Sequence, residues 1–249
     1  IDEKQNTNIV LLDAGSGVQR LGITGETARH RRVDILLTHL HMDHIQGLGF
    51  FQPLFEPGAE IHIWGPADHQ ASLYERLNRY LSPPLFPVPI RDLPSKLTFH
   101  EMPLSATQIG PFQVEAAYVC HPGPTVGYRI QEAAVVAYLP DHEPALGNAA
   151  FDSAPAWTSG FGLAREADLL IHDAQYSDEE YCFRVGWGHS TYAHALQFSA
   201  LARVKQLLLF HHDPSHSDEK LYELYQENVN GKAYPFKVSI AREGAAFEF

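Results

Sequence analysis

The strongest chemical signal in the sequence is a run of six residues, 39–44. Four side chains in this run can bind a metal ion: His39, His41, Asp43 and His44. The chain holds 15 histidines in 249 residues, a composition that predicts only about 0.003 such runs by chance. Imidazole with carboxylate suits a borderline divalent ion, whereas structural zinc sites favour cysteine. Neither Cys120 nor Cys182 lies near the run, so we expect a catalytic metal site rather than a structural one.

The run directly follows residues 33–38, an apolar and β-branched segment that predicts a buried strand. In extended backbone, side chains two positions apart point to the same side, so His39 and His41 face one space. Asp43 and His44 come where the chain turns, and they can face that space from another angle. The end of a strand is therefore expected to position the run.

Short apolar strands alternate with helical patterns in the first and last thirds, and the middle predicts consecutive antiparallel strands. The predicted strands span residues 8–12, 33–38, 60–64, 97–102, 112–120, 126–131, 133–139, 168–172, 205–210, 236–240 and 246–249. The predicted helices span residues 66–81, with Pro66 in the first turn, and 190–204 and 217–229, with Ser190 and Ser217 as caps; residues 177–180 predict a capping box. Residues 82–94 hold five prolines, which favours a stiff surface connection over a lid above a site. No shift in composition marks a boundary, so we expect one α+β domain over residues 1–249.

Composition excludes several classes of function. A net charge of −12 argues against a module that binds polyanions, although it allows a local basic pocket. No run approaches the roughly 18 apolar residues of a membrane span, and residues 1–5 are too polar for a signal peptide. The two cysteines form no CxxC spacing, so we expect free thiols in a reducing compartment, which indicates a cytoplasmic location.

The segment Thr38-His39-Leu40-His41-Met42-Asp43-His44 resembles the signature of the metallo-β-lactamase superfamily, and the resemblance extends over most of the chain. It implies a four-layer αββα sandwich with metal ions at one sheet edge. It also implies a supporting aspartate, Asp13, and three further ligands: His121, Asp141 and His211. By that resemblance one ion is held by His39, His41 and His121. A second is held by Asp43, His44 and His211, and Asp141 bridges both.

The three further ligands also lie where the residues themselves predict a site. His121, Asp141 and His211 each stand at the end of an apolar run, and strand ends place functional groups at the rim of a rigid sheet. His142 and His212 are adjacent competitors. Register argues against both, because the next side chain along a strand points to the opposite face.

Within the superfamily, the sequence resembles the phosphodiesterase branch that includes ribonuclease Z. Residues 171–175 and 188–191 resemble that branch's His-Glu-Ala-Thr and Gly-His-Ser-Thr motifs. The resemblance implies that Asp173 orients His189, which assists at the scissile phosphate. Arg129 is a candidate phosphate contact, with a solvated strand residue as the favoured alternative. The aspartate at 141 disfavours a true β-lactamase, where cysteine or serine is typical.

The expected reaction is attack of a hydroxide, generated between two metal ions, on a phosphodiester. Zinc is the first choice of metal, with manganese or iron as alternatives. Asp43 is expected to share in moving protons. Only 20 positions separate His121 from Asp141, which leaves no room for the arm that binds transfer RNA, so we expect a small substrate, perhaps cyclic. The alternatives are an ester or lactone hydrolase with the same metals, a metal-binding sensor without turnover, and, ranked lower, a diiron redox protein. The sequence leaves open whether the protein forms a homodimer.

Overall fold

The computed structural model describes residues 8–24, 32–147, 151 and 155–248, with residues 22–24 described by backbone alone. It divides into two compact units, one of residues 1–103 and 108–111, the other of residues 104–107 and 112–249. The expectation of one domain over residues 1–249 stays a prediction. The expectation for residues 1–5 lies outside the described residues.

The first unit contains a four-stranded parallel sheet in the order β1-β2-β3-β4. Its strands are β1 (Ile9–Leu12), β2 (Arg32–Leu36), β3 (Glu60–Gly65) and β4 (Lys96–Glu101). Its helices are α1 (Val18–Thr24), α2 (Met42–Ile45) and α3 (Leu73–Asn78), with 3-10 helices at Gln46–Phe50, Gln52–Phe55 and Ile90–Asp92. Alternate strand side chains such as Ile35, Ile61 and Ile63 are fully buried in the core. Because the strands are parallel, their carboxyl ends share one edge, and the run at 39–44 follows β2 there.

The second unit contains the strands of a mixed sheet ordered β11-β10-β9-β8-β7-β6-β5, and the boundary between the units crosses β5. The strands are β5 (Thr107–Ile109), β6 (Phe112–Tyr118), β7 (Val126–Gln131), β8 (Val135–Leu139), β9 (Leu169–Asp173), β10 (Gln206–Phe210) and β11 (Lys237–Ile240). The helices are α4 (Phe161–Ala164), α5 (Asp178–Tyr181), α6 (Tyr192–Ala202) and α7 (Asp218–Asn228), with a 3-10 helix at Pro155–Trp157. The antiparallel pairing of β6, β7 and β8 confirms the prediction for the middle of the chain.

Two helix predictions need correction. The helix predicted over residues 66–81 spans only Leu73–Asn78, because Ser72 caps it in a capping box with Glu75. Pro66 therefore lies outside the first turn. Thr191, not Ser190, caps α6, since its hydroxyl accepts from the His194 N–H. The capping box at Ser177 and the cap at Ser217 are confirmed.

Ten of the eleven predicted strands are present, with ends shifted by at most two residues. The strand predicted at 246–249 is wrong for residues 246–248, which are not in a strand. A turn in which Ala245 N–H donates to Arg242 C=O follows β11 and precedes these residues. Phe249 lies outside the described residues. The pattern does not predict β5, whose three residues are too few for periodicity. Within 82–94, Ile90 and Leu93 are buried in the first unit's core, as a packed connection requires. Among the described residues no helix is long and apolar enough to cross a membrane.

Candidate metal centre

In the first unit, the run at 39–44 brings three imidazole rings together. The His39 ring centroid lies 4.3 Å from that of His41 and 4.2 Å from that of His44. His39 and His44 are buried, whereas His41 and Asp43 are exposed. Asp43 Oδ2 lies 3.2 Å from His44 Nε2. Four donor groups of the kind that zinc, manganese and iron accept therefore share one end of β2.

Asp13 orients two of these rings through its buried carboxylate. Its Oδ2 accepts from His44 Nδ1 at 2.8 Å, and its Oδ1 accepts from the Thr38 backbone N–H at 2.7 Å. The Thr38 hydroxyl donates to the same carboxylate, so its oxygen accepts from His39 Nδ1 at 3.1 Å. These contacts orient both imidazoles through Nδ1, the arrangement in which Nε2 is the nitrogen that binds a metal ion.

The backbone around Asp13 is held close to the run. Asp13 adopts a left-handed conformation with φ 57°, which aspartate and asparagine tolerate better than most residues. The Ala14 N–H donates to His44 C=O at 2.8 Å, and the Gly47 N–H donates to Ala14 C=O at 2.9 Å. A Cβ atom at Gly47 would collide with the backbone oxygen of Gly15, so glycine is required for this approach.

In the second unit, two predicted histidines, His121 and His211, lie on either side of the buried carboxylate of Asp141. Asp141 is 2% exposed, and its oxygens lie 3.8 Å from His121 Nε2 and 3.4 Å from His211 Nε2. His121 Nδ1 donates to the carbonyl oxygen of Gly188 at 2.9 Å, which again leaves Nε2 for a metal ion. His211 lies beyond the end of β10 with φ 56°, so strand alternation does not decide between it and His212. Position decides instead, because His212 lines a separate cavity beside α7.

His189 and Asp173 form a close pair beside Asp141. His189 Nδ1 lies 2.7 Å from Asp173 Oδ2 and 3.9 Å from Asp141 Oδ2. Asp173 is fully buried, and it also accepts backbone N–H groups from His142, Gln175 and Ser190. Four donors compensate the burial of this charge and fix its orientation. The ligand atoms of Asp141, His189 and His211 lie within 4.8 Å of one another, so His189 can also reach a metal ion.

Glu143 is a positioning residue that the sequence did not reveal. It is 1% exposed, and its carboxylate accepts from the backbone N–H groups of Gly186 and Gly188 and from the Tyr181 hydroxyl. These bonds hold the segment that ends at His189. No local pattern marks Glu143, because its partners are about 40 positions away in the chain.

The adjacent competitor His142 points into the core and not toward the ligands. Its Nδ1 lies 2.9 Å from His172 Nε2, and its Nε2 accepts from the Ser159 hydroxyl at 3.1 Å. Burial lowers the pKa of His172 to about 4, and burial together with that neighbouring ring lowers the pKa of His142 well below its ordinary value. Arg129 donates through Nη1 to the carbonyl oxygens of Leu163 and Arg165, each at 2.9 Å, and these bonds give no support to a phosphate contact.

Comparisons with known proteins agree on one family. The family model described as "Beta-lactamase superfamily domain" matches residues 8–212. A protein named Ribonuclease Z from Streptomyces coelicolor is 26% identical over 94% of this chain and 86% of its own length. A solved diphosphatase of the PhnP family, 19% identical, covers 96% of this chain and 79% of its own chain with a TM-score of 0.65. The short form of human tRNase Z, 25% identical, covers 82% of each chain with a TM-score of 0.60.

These likenesses confirm the expected α+β fold, and they do not support the expectation that excluded transfer RNA. Divalent metal ions follow from the family, and both units offer the imidazole and carboxylate donors that such ions need. The family match covers most of the chain. The chain therefore belongs to the metallo-β-lactamase superfamily, and within it the chain resembles ribonuclease Z.

Proposed function

We propose that this metal-dependent hydrolase cleaves a small phosphodiester with the help of two divalent metal ions, of which zinc is the preferred candidate. We also propose that residues 1–249 form one domain. The proposed ligands of the first ion are His39, His41 and His121. The proposed ligands of the second are Asp43, His44 and His211, and Asp141 is shared. Support comes from the Nδ1 contacts of His39, His44 and His121, which orient the three rings.

When bound, two such ions lower the pKa of a water and neutralise charge on phosphate oxygens. The side chains supply the remaining steps. His189 gives a proton to the leaving oxygen through Nε2, because its Nδ1 is engaged by Asp173. Asp173 stabilises the positive charge of the imidazolium, and its four donors keep it from turning away. Asp43 is exposed and close to His44, so it can accept a proton from solvent-side groups.

The observation that carries the proposal is the His189–Asp173 pair beside Asp141. A metal-only hydrolase of esters needs no second imidazole held by a buried carboxylate. A phosphodiester with a poor leaving group does need such an acid, because an alkoxide leaves slowly without a proton. His121 and Asp141 are 20 positions apart, and the residues between them form only β7, β8 and their connections. Together with the net charge of −12, this favours a small substrate. A cytoplasmic location fits the free thiols of Cys120 and Cys182.

The test is a substrate panel assayed after metal analysis. Protein reconstituted with zinc or manganese is given bis(4-nitrophenyl) phosphate, cyclic nucleotides, a lactone and a precursor transfer RNA. We expect two ions per chain and turnover of the phosphodiesters. Faster turnover of the lactone would replace the proposal with an ester hydrolase. Faster turnover of precursor transfer RNA would make it a ribonuclease, the function named for its curated relatives. Two bound ions with no turnover would favour the sensor.

A further inference from the structure

The second unit contains a cavity of about 530 Å³ that the proposed reaction does not use. Cavities of roughly 300–1,000 Å³ are the size that holds small-molecule ligands. Three segments line it: residues 104–106, the end of β6 at residues 115–118, and residues 156–163, which include most of α4. The described lining contains neither a proposed metal ligand nor His189, so this cavity is distinct from the candidate metal centre.

Large apolar side chains around this cavity are open to solvent. Trp157 is 88% exposed, and Tyr118 and Leu104 are each about half exposed. All three line the same cavity, so they border one shared space. Single exposed apolar residues are ordinary on protein surfaces, whereas a concave site bordered by several of them is typical of a binding site.

Hydrogen bonds hold the wall that carries Trp157. The Thr158 N–H donates to Pro155 C=O at 3.0 Å, which closes a turn around Trp157. The Ser159 hydroxyl oxygen, two positions further on, accepts from the Cys120 N–H at 2.8 Å and so ties this wall to the chain after β6. A wall that is fixed before a ligand arrives lowers the entropy cost of binding.

Glu115 gives the cavity its charge. Among the described residues that line it, Glu115 is the only one with a full charge at neutral pH. Its cross-strand partner in β7 is Arg129, whose Nη1 donates to the carbonyl oxygens of Leu163 and Arg165. These bonds direct that nitrogen toward α4 and its following residue. The cavity therefore combines aromatic and apolar walls with one carboxylate.

A small organic cation complements both features. An ammonium group is attracted to the face of an indole or phenol ring, most strongly to indole, and also to a carboxylate. An anion would be repelled by Glu115 in a chain of net charge −12. A neutral apolar molecule would cover the carboxylate without pairing it, which costs free energy.

We propose that this cavity binds a small organic cation, with its ammonium group facing Glu115 and the rings of Trp157 and Tyr118. The apolar part of the ligand packs against Leu104. The site goes beyond the proposed function and does not depend on it, because its lining is separate from the metal centre.

The test compares two probes that differ in charge and hardly in shape. Protein reconstituted with zinc is titrated calorimetrically with choline and with its neutral analogue, in which a tert-butyl group replaces the trimethylammonium group. We expect choline to bind about tenfold more tightly, and Glu115→Gln and Trp157→Ala each to remove most of that difference. Tyr118→Ala should give a smaller loss of the same kind.

Two variants outside the cavity are the matched controls. Trp187 and Glu132 are both exposed and do not line it, so Trp187→Ala and Glu132→Gln should keep the preference for choline. Urea unfolding should give the same midpoint for Trp157→Ala as for the unmodified protein, because the Trp157 side chain is almost fully exposed.

Several results would overturn the assignment. Equal affinity for the two probes would do so, as would no detectable binding of choline up to about 10 mM. An unchanged preference for choline in Glu115→Gln and Trp157→Ala, or an equal loss in the two control variants, would place the binding elsewhere. Because binding is measured without turnover, absence of phosphodiesterase activity would defeat the proposed function and leave this test readable.

Discussion

The two units supply their candidate ligands in opposite ways. The first unit draws four from six consecutive positions and orients two of them through one carboxylate, Asp13. The second draws His121, Asp141 and His211 from separate strand ends and fixes its surroundings through backbone groups bound by Asp173 and Glu143. A contiguous set depends on one buried side chain, whereas a dispersed set depends on the fold around it. The two should therefore fail differently when single residues are changed.

The largest expected effect is loss of the carboxylate that serves both proposed ions. Asp141→Ala should lower activity by more than about 10³-fold, since loss of a supporting partner alone costs 10–100-fold. Elemental analysis should show fewer ions per chain in Asp141→Ala than in Asp43→Ala. Asp43→Ala in the first unit should retain one ion. Equal metal loss in both variants would contradict the proposal that Asp141 serves both ions whereas Asp43 serves only one.

His189→Ala should separate catalysis from metal binding in the second unit. We expect two retained ions and a fall in kcat of about 10²-fold or more on a phosphodiester with a poor leaving group. The fall should shrink with a nitrophenolate leaving group, which needs no proton. His41→Ala, in the first unit, should instead lose metal. Metal loss in His189→Ala would make His189 a ligand, which its distance to Asp141 allows.

Acid should weaken the second unit through its buried histidines. The pKa of His172 is about 4 in the folded chain and about 6.5 when unfolded, so the unfolded chain binds more protons between these values. The free energy of unfolding of metal-free protein should therefore fall as pH drops from 6.5 to 4, by about 3 kcal/mol from this group. Urea unfolding at several pH values measures it. His172→Gln should flatten the dependence, and an unchanged dependence would contradict the assignment.

Asp13→Asn should weaken metal binding with little change in backbone conformation, because asparagine tolerates the same left-handed φ. The amide offers only one acceptor oxygen in place of two, so the tautomers of His39 and His44 are no longer both fixed. We expect a 10–100-fold loss of metal affinity, measured by competition with a chelator. Asp173→Asn, the counterpart in the second unit, should lower kcat and keep metal affinity.

The smallest expected effect is at His212. His212→Ala should leave metal content unchanged, since His212 lines the cavity beside α7 with Asp218, Tyr222 and Arg242. His211→Ala should lose metal in the same measurement. The reverse result would mean that the turn after β10 presents the other ring.

The sequence predicted the elements that local pattern controls. The strands, the serine caps of α5 and α7, and the clustering of candidate ligands at 39–44 all follow from residues close together in the chain. The resemblance identified Asp13, whose partners in this structure are Thr38 and His44. The sequence also predicts His121, Asp141 and His211 as candidate metal ligands, because the end of a strand can be recognised as the end of an apolar run.

What the sequence missed depends on long-range contacts. Glu143 binds a segment some 40 positions later, and the His142–His172 pair joins two strand ends, so neither leaves a local pattern. The cap of α6 was assigned one residue early because Ser190 and Thr191 are both good caps, and Ser190 is occupied elsewhere: its hydroxyl donates to His142 C=O and its N–H to Asp173. Strand alternation favours His211 over His212 in the sequence, although the left-handed φ of His211 places it outside that rule.

The tight approach of Gly47 to Gly15 means that the histidine run is not a portable peptide. A synthetic segment of residues 33–50 would keep every one of the four donors, yet it would lack Asp13 and the backbone bonds from Ala14. Its imidazoles would exchange freely between tautomers, and its affinity for zinc would be that of an unstructured histidine tag. Anyone transplanting these four donors onto another scaffold would have to move two backbone segments as one piece, the one that contains Asp13 and Gly15 and the one that runs from His39 to Gly47.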